Sequence, residues 1–308
     1  MSQPSHCSPL VALGQGSSSI VITTRNRKDD LRRALVSAFA QSAPAEVLVM
    51  DDASTDGTSA MVRQEFPTAT LHRTEACIGL IAQRNRAAKL VASDVIISID
   101  DDAEFSTPFV VEQTLREFDD PQIGAVAIPY IEPHKDNRLM QQAPDRQGLW
   151  VTERFIGTAH ALRRDVFLKV GGYRDHLVHQ GEEGDYCIRM LDAGYLVRLG
   201  NADPIHHFES PKRDLSRMDY YGARNAILFV WQNVPWPAFP VHLLATTLNV
   251  LRWTFQPRRF CLRLRAVLAG YGWCLTHWSA RQPVARRTYQ INRVLRRGGA
   301  VPASAVQL

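Results

Sequence analysis

Acidic side chains are absent from Tyr220 to Leu308, a stretch that carries 12 Arg and no Lys. All 31 Asp and Glu therefore precede it, and the net charge of +5 conceals an acidic part followed by a strongly basic one. Other absences narrow the field further. The five cysteines, at 7, 77, 187, 261 and 274, form no CxxC and no paired spacing, which argues against structural zinc or a disulfide framework and for a reducing compartment. Residues 1–17 lack the basic start and apolar run of a secretory signal and read as a flexible lead, so a cytoplasmic setting is expected. There is no helix-turn-helix, zinc-finger or RNA-binding signature to give nucleic-acid specificity. With 308 residues, 45% hydrophobic and 22% charged, the composition is that of an ordinary soluble globular protein.

A clean membrane span is also missing. Residues 226–251 are uncharged and long enough to cross a bilayer, but Gln232, Asn233, Pro235, Pro237, Pro240 and His242 interrupt them. Two amphipathic helices, at about residues 241–255 and 260–278, fit better, with Arg263 and Arg265 on a polar side and Leu264, Val267, Leu268 and Tyr271 on the other. Five of the six tryptophans, at 231, 236, 253, 273 and 278, lie in this tail. Arginine mixed with tryptophan suits a boundary between apolar and charged surroundings, so residues 231–308 are expected to meet an anionic membrane surface, peripherally and at its inner face. Packing of the same helices onto the core is the competing expectation.

What is present begins with apolar strands alternating with helices. SSIVITT (18–24), EVLVMD (46–51), a short strand at 69–72 and DVIISI (94–99) alternate with helices expected at 29–41, 58–66 and 79–92. That order points to an α/β chain with crossover units, a mostly parallel sheet and helices on both faces. At the end of the last of these strands stand Asp100, Asp101 and Asp102. Strand alternation sends Asp100 and Asp102 one way and Asp101 the other, placing a carboxylate pair at the sheet edge where α/β proteins bind ligands. Such a pair suits a hard divalent cation, Mg²⁺ or Mn²⁺, shared with the phosphates of a nucleotide diphosphate. The loops after the first two strands converge there too, with Thr24, Arg25, Asn26 and Arg27 in one and Asp51 and Asp52 in the other. Arg can neutralise phosphate, and Asp can accept from a base or ribose.

The segments IVITTRNRKDDLRRALVSAFAQS, VLVMDDASTDGT, GLIAQRNRAAKL and VIISIDDDAEF, in this order, resemble the nucleotide-binding half of family 2 of the inverting glycosyltransferases, among them rhamnosyl-, galactosyl- and glucosyltransferases. GTAHALRRDVFLKVGGY, GEEGDYCIRMLDAGY, PIHHFESP and YYGARN are similar to its acceptor half. The resemblance covers residues 18–230. It implies one GT-A domain, a Rossmann-like sheet divided into a nucleotide-binding half (18–105) and an acceptor half (106–230), with 231–308 as a basic helical extension. The implied activity is metal-dependent transfer of a sugar from a nucleotide-diphosphate donor to a hydroxyl of a glycan or lipid-linked glycan, as in polysaccharide synthesis at the cell envelope.

Carried over by position, the resemblance assigns Asp51, Asp52, Arg84, Asp101 and Arg224 to the nucleotide sugar, beside Thr24 and Arg25 of the first loop, and Asp100 and Asp102 to the metal. It favours His206 over His207 as a further metal ligand. Glu183 stands where the family has the Asp that acts as base, with Glu182 and Asp185 as its acidic neighbours; acids in a first helical turn also suit the helix dipole, and Asp185 with Arg189 forms an i,i+4 pair. Trp150 and Phe155 suit either an acceptor sugar ring or the core. Two rivals remain open. A sugar-phosphate nucleotidyltransferase would carry a glycine-rich loop after the first strand, whereas residues 24–30 hold no glycine. A non-catalytic nucleotide-sugar-binding module at a membrane would not need the acids at 182, 183 and 185.

Overall fold

A computed structural model describes residues 17–209, 214–252 and 257–308. Most of the expected N-terminal lead, the end of PIHHFESP and the last residues of the helix expected at 241–255 lie outside the described residues.

The N-terminal half alternates as its sequence dictates: β1 (Ser18–Thr24), α1 (Lys28–Phe39), β2 (Ala45–Asp51), α2 (Thr58–Glu65), β3 (Thr70–Arg73), α3 (Leu80–Leu90) and β4 (Val95–Asp100). The β-branched runs IVI and VIISI are buried on both faces, as central strands require. Beyond them come β5 (Ala103–Phe105), α4 (Val110–Arg116), β6 (Ile123–Ala127), β7 (Tyr130–Ile131), β8 (Trp150–Thr152), β9 (Ala159–Arg163), α5 (Arg164–Lys169), α6 (Glu182–Asp192), β10 (Leu196–Leu199) and β11 (Ile205–His207). The tail contributes α7 (Leu215–Asn233), α8 (Ala238–Arg252), α9 (Pro257–Thr276), α10 (Arg286–Gly298) and β12 (Val301–Pro302).

Nine strands form one sheet in the order β12-β8-β10-β6-β9-β4-β1-β2-β3, with an apolar core on each face. The parallel order expected across the sheet holds for β3-β2-β1-β4 and for β6-β10. β9 runs against both β4 and β6, and β8 against β10, so the sheet is mixed. The register aligns Thr24 with Asp51 and Thr23 with Asp100, bringing the ends of three parallel strands to one edge. A second sheet, β5-β11-β7, folds over that edge.

The tail packs onto the core through part of its surface. Val267 and Cys274 of α9 are buried against the core, while Leu264, Leu268 and Leu275 of the same helix face outward. α8 buries none of its residues fully. Arg259 and Arg263 pair with Asp219 of α7, at 2.7 and 3.0 Å. β12 then pairs antiparallel with β8 and returns the chain to the sheet, a strand absent from the sequence pattern because two residues carry no periodicity.

Candidate active site

A cavity of about 590 Å³ opens at the edge where β1, β2 and β4 end, closed on its far side by the start of α6. Its volume is in the range that takes a nucleotide-sized ligand. β4 delivers Asp100, and the turn after it delivers Asp101 and Asp102. Asp102 O accepts from Phe208 N at 2.8 Å, which holds β11 beside the turn. Ligand atoms of Asp100, Asp102 and His207 lie within 4.8 Å of one another. The His207 ring stands between carboxylates, with Nε2 3.4 Å from Asp102 and Nδ1 3.3 Å from Glu132. Two carboxylates and an imidazole form a donor set that Mn²⁺ accepts readily and Mg²⁺ accepts through its oxygens.

Arginines knit this cluster together. Arg27 Nη1 donates to Asp102 at 2.6 Å and to Asp101 at 3.1 Å. Burial works against the Asp102 carboxylate, but His207 and Arg27 outweigh it and hold its pKa at about 2. Asp101 receives the Thr24 hydroxyl at 2.8 Å. Burial nonetheless pushes it up to about 7. Arg84, buried on α3, donates to Asp100 at 2.8 Å and to the Gly157 carbonyl at 2.9 Å, with Glu182 at 3.9 Å on its other nitrogen. The guanidinium therefore joins the Asp cluster to the first turn of α6.

That first turn follows Gly181, whose φ of +86° lets the chain turn sharply into the helix. Glu182 and Glu183 both line the cavity. Burial and the neighbouring Glu183 charge raise Glu182 to about 8 against the pull of Arg84, so it keeps its proton at neutral pH. A Cβ on Gly157 would lie 2.6 Å from Glu183 Oε1; only glycine leaves the Glu183 carboxylate its place.

At the other end of the cavity Asp52 accepts from Ile78 N at 2.8 Å, Gly79 N at 3.0 Å, Gln83 at 2.9 Å and Cys77 at 2.9 Å. These donors overcome burial and lower its pKa. Arg25 donates to Cys77 Sγ at 3.0 Å and forms part of the same wall.

The glycosyl transferase family 2 profile matches residues 19–171, which contain strands β1 to β4 and the Asp cluster. This chain belongs to glycosyl transferase family 2. The O-antigen chain rhamnosyltransferase WbaN of Salmonella anatum is 23% identical over 192 residues, 56% of this chain and 60% of the relative. The succinoglycan biosynthesis protein ExoU of Rhizobium meliloti is 37% identical over 203 residues, 58% of each chain. The chain thus spans about three fifths of the length of these curated relatives. A mannosyltransferase from Pyrobaculum calidifontis, solved with GDP-Man and Mn²⁺, superposes with a TM-score of 0.59 at 19% identity, covering 88% of this chain and 79% of that one. GalNAc-T7, solved with UDP, GalNAc and Mn²⁺, gives 0.61 at 15% identity over 86% and 56%. These likenesses establish the GT-A fold.

Within this family 2 chain, several residues assigned by position in the sequence lie elsewhere in the molecule. The histidine in the Asp cluster is His207; on a strand of three residues alternation puts His206 on the opposite face, against Phe208. Asp51 does not reach the cavity: it is fully buried and accepts from Ser54 N and Ser59, fastening the loop to α2. Asp185 also turns away, paired with Arg174 at 2.6 Å and with Arg189 at 3.0 Å in the i,i+4 geometry. Arg224 lies outside the cavity and donates to the His176 carbonyl, while Asn225 donates to the carbonyls of Leu177, His179 and Gln180. Together they hold in place the loop that enters α6. Phe155 does line the cavity, but it is buried and stacks on His160 at 4.2 Å; Trp150 sits on β8 outside the cavity. Arg27, Glu132 and Arg154 also line the cavity; Arg27 stands in the first loop, but nothing in its sequence neighbourhood reveals its partners across the sheet.

Proposed function

We propose that this chain is an inverting glycosyltransferase that moves a sugar from a nucleotide diphosphate to a hydroxyl of a glycan or lipid-linked glycan in envelope polysaccharide synthesis. The observation that carries the reading is the convergence of Asp100, Asp102 and His207 with Glu183 in one cavity at the carboxyl edge of the parallel strands. Relatives named for O-antigen and succinoglycan synthesis support the substrate class. Asp100, Asp102 and His207 are the residues that would hold Mg²⁺ or Mn²⁺, which supplies positive charge to the departing diphosphate. Thr24, Arg25, Asp52, Arg84 and Asp101 form the donor end. Thr24 and Arg84 keep Asp101 and Asp100 in place, and Asp52 fixes the loop 77–79 that borders the nucleotide.

The acceptor oxygen bonds to the anomeric carbon from the side opposite the diphosphate, and the bond from that carbon to the β-phosphate oxygen breaks with its electron pair. The acceptor proton passes to the Glu183 carboxylate, the acid that is one methylene longer than the family's usual Asp. Glu182, raised to about 8 by burial and by the Glu183 charge, is the acidic neighbour of that base.

The tail adds a setting. Among the described residues no helix is long and apolar enough to cross a membrane. Val241, Leu244 and Leu248 on α8 and Leu268 and Leu275 on α9 are nonetheless 58–73% exposed, Trp236 and Trp278 are exposed as well, and neither helix carries an acid. Such a surface suits peripheral attachment to an anionic bilayer, and four free cysteines among the described residues suit the reducing, cytoplasmic side.

Thermal unfolding with UDP-, GDP- and dTDP-sugars, with and without Mn²⁺, tests the donor site, because a ligand that binds only the folded state raises its stability. A metal-dependent shift is expected with one nucleotide class and is lost in Asp102→Ala. Sugar transfer with release of nucleoside diphosphate is the expected reaction; release of pyrophosphate would identify a nucleotidyltransferase, and binding without turnover a non-catalytic module.

A further inference from the structure

A second cavity, of about 240 Å³, lies behind the first turn of α6 and is enclosed by α7, α8 and α10. Gly181 and Arg154 line both cavities, and Gly184, the residue after Glu183, lines this one, so the two meet across the candidate base. Small residues line this cavity. A Cβ on Gly222 of α7 would meet nothing within 4 Å, and one on Gly184 would first touch Arg154 Nη1 at 3.9 Å.

The wall from Arg154 to Arg296 is cationic. Glu153 stands between Arg154 at 3.7 Å and Arg296 at 3.8 Å, both beyond hydrogen-bond length. One carboxylate facing two guanidiniums leaves a positive charge with donor groups able to take an oxyanion in a fork. α8 separates this wall from the exposed apolar ridge. His242 and Thr246 face the cavity, while Val241, Leu244 and Leu248 of the same helix face outward. A head group in the cavity would therefore have its lipid at the ridge.

We propose that this second cavity is the acceptor passage, taking a saccharide carried on a lipid phosphate or diphosphate, with the phosphate on Arg154 and Arg296 and the sugar hydroxyl reaching Glu183 past Gly184. The inference rests on the transferase reading above and specifies its acceptor. Apart from Glu153 and Arg154, which lie within residues 19–171 of the family match, the passage is lined by the start of α6 and by this chain's tail helices, which fall outside it.

Two measurements test it on the full chain. A photoreactive polyprenyl-diphosphate monosaccharide, cross-linked in detergent micelles and mapped by mass spectrometry, should label peptides around Thr246 and Asn292; labelling confined to other surfaces overturns the passage. Gly222→Trp, which fills open space, should abolish that labelling and reduce transfer to the same compound at least tenfold through acceptor KM, while the donor-induced thermal shift stays as in the parent chain. Should Gly222→Trp unfold, Arg296→Ala provides the second reading: a raised acceptor KM for the diphosphate compound, partly restored by Arg296→Lys, and no effect with the methyl glycoside of the same sugar. Unchanged transfer in a folded Gly222→Trp, or in Arg296→Ala, overturns the proposal. A parent chain with neither donor shift nor transfer sinks the transferase reading itself and the passage with it.

Discussion

Arg27 Nη1 lies 2.6 Å from Asp102 Oδ2. A guanidinium on that oxygen competes with any cation that Asp100, Asp102 and His207 would share, and once displaced it stands ready for phosphate. Arg27→Ala is therefore expected to tighten Mn²⁺ binding without donor and to raise donor KM by about tenfold, in line with a lost charge-assisted hydrogen bond. Calorimetric titration with Mn²⁺, followed by steady-state kinetics, checks both signs; weaker Mn²⁺ binding in the variant would refute the competition.

The two adjacent histidines give a sharp contrast. His207→Ala should remove most of the metal-dependent thermal shift, whereas His206→Ala should leave it close to the parent value, because it is His207 whose ring nitrogen Nε2 faces the Asp cluster. Equal effects from both substitutions would mean that β11 presents them differently.

Glu183 and Glu182 can be separated by amide substitution. Glu183→Gln cannot accept a proton and should lower kcat by about 10²–10⁴ with donor binding intact. Glu182→Gln imitates the protonated acid that burial already enforces and should stay within about threefold of the parent at pH 7. Gly157→Ala should act through Glu183: the added methyl meets the flexible end of that side chain, so turnover falls with little change in melting temperature.

A stability prediction lies away from the site. Burial pushes Glu117 up to about 7, despite the backbone N–H of Asn201 on its Oε1. Between its unfolded value of 4.5 and about 7 the folded chain holds a proton that the unfolded chain has lost, so stability declines as pH rises through that window. Glu117→Gln removes the decline and should gain on the order of 2 kcal/mol on the parent between pH 5 and pH 8. Urea unfolding at the two pH values reads the difference; a constant offset would disprove the shift.

The first half of the fold is legible in the sequence because each of its elements is periodic and long enough to declare itself, and because strand ends fix where loops gather. That logic brings Asp100, Asp102 and Asp52 to the cavity, and the family likeness adds Glu183. Orientation is harder to read. Asp51 and Asp185 sit one or two positions from cavity residues, and strand or helix phase turns them into the core, where local hydrogen bonds and the Arg189 pair hold them. β11 is too short to reveal its phase, hence His207 in the cluster where position in the chain favours His206. Arg27, Arg154 and β12 act through partners far along the chain, and no local pattern encodes such pairings. The RN pair of the last motif is likewise legible as a pair but not in its division of labour: Asn225 holds the loop before α6 through three carbonyls, and Arg224 through one.

The arginine-rich tail is moored at both ends, by α7 packed on the core at one and by β12 on the sheet rim at the other. A segment tied twice cannot swing like a tether. Any bilayer that grips its greasy outer flank would hold the reaction centre at one set height above the lipid, so the tail would act as a gauge as much as an anchor, deciding which sugar along a membrane-rooted chain comes within reach.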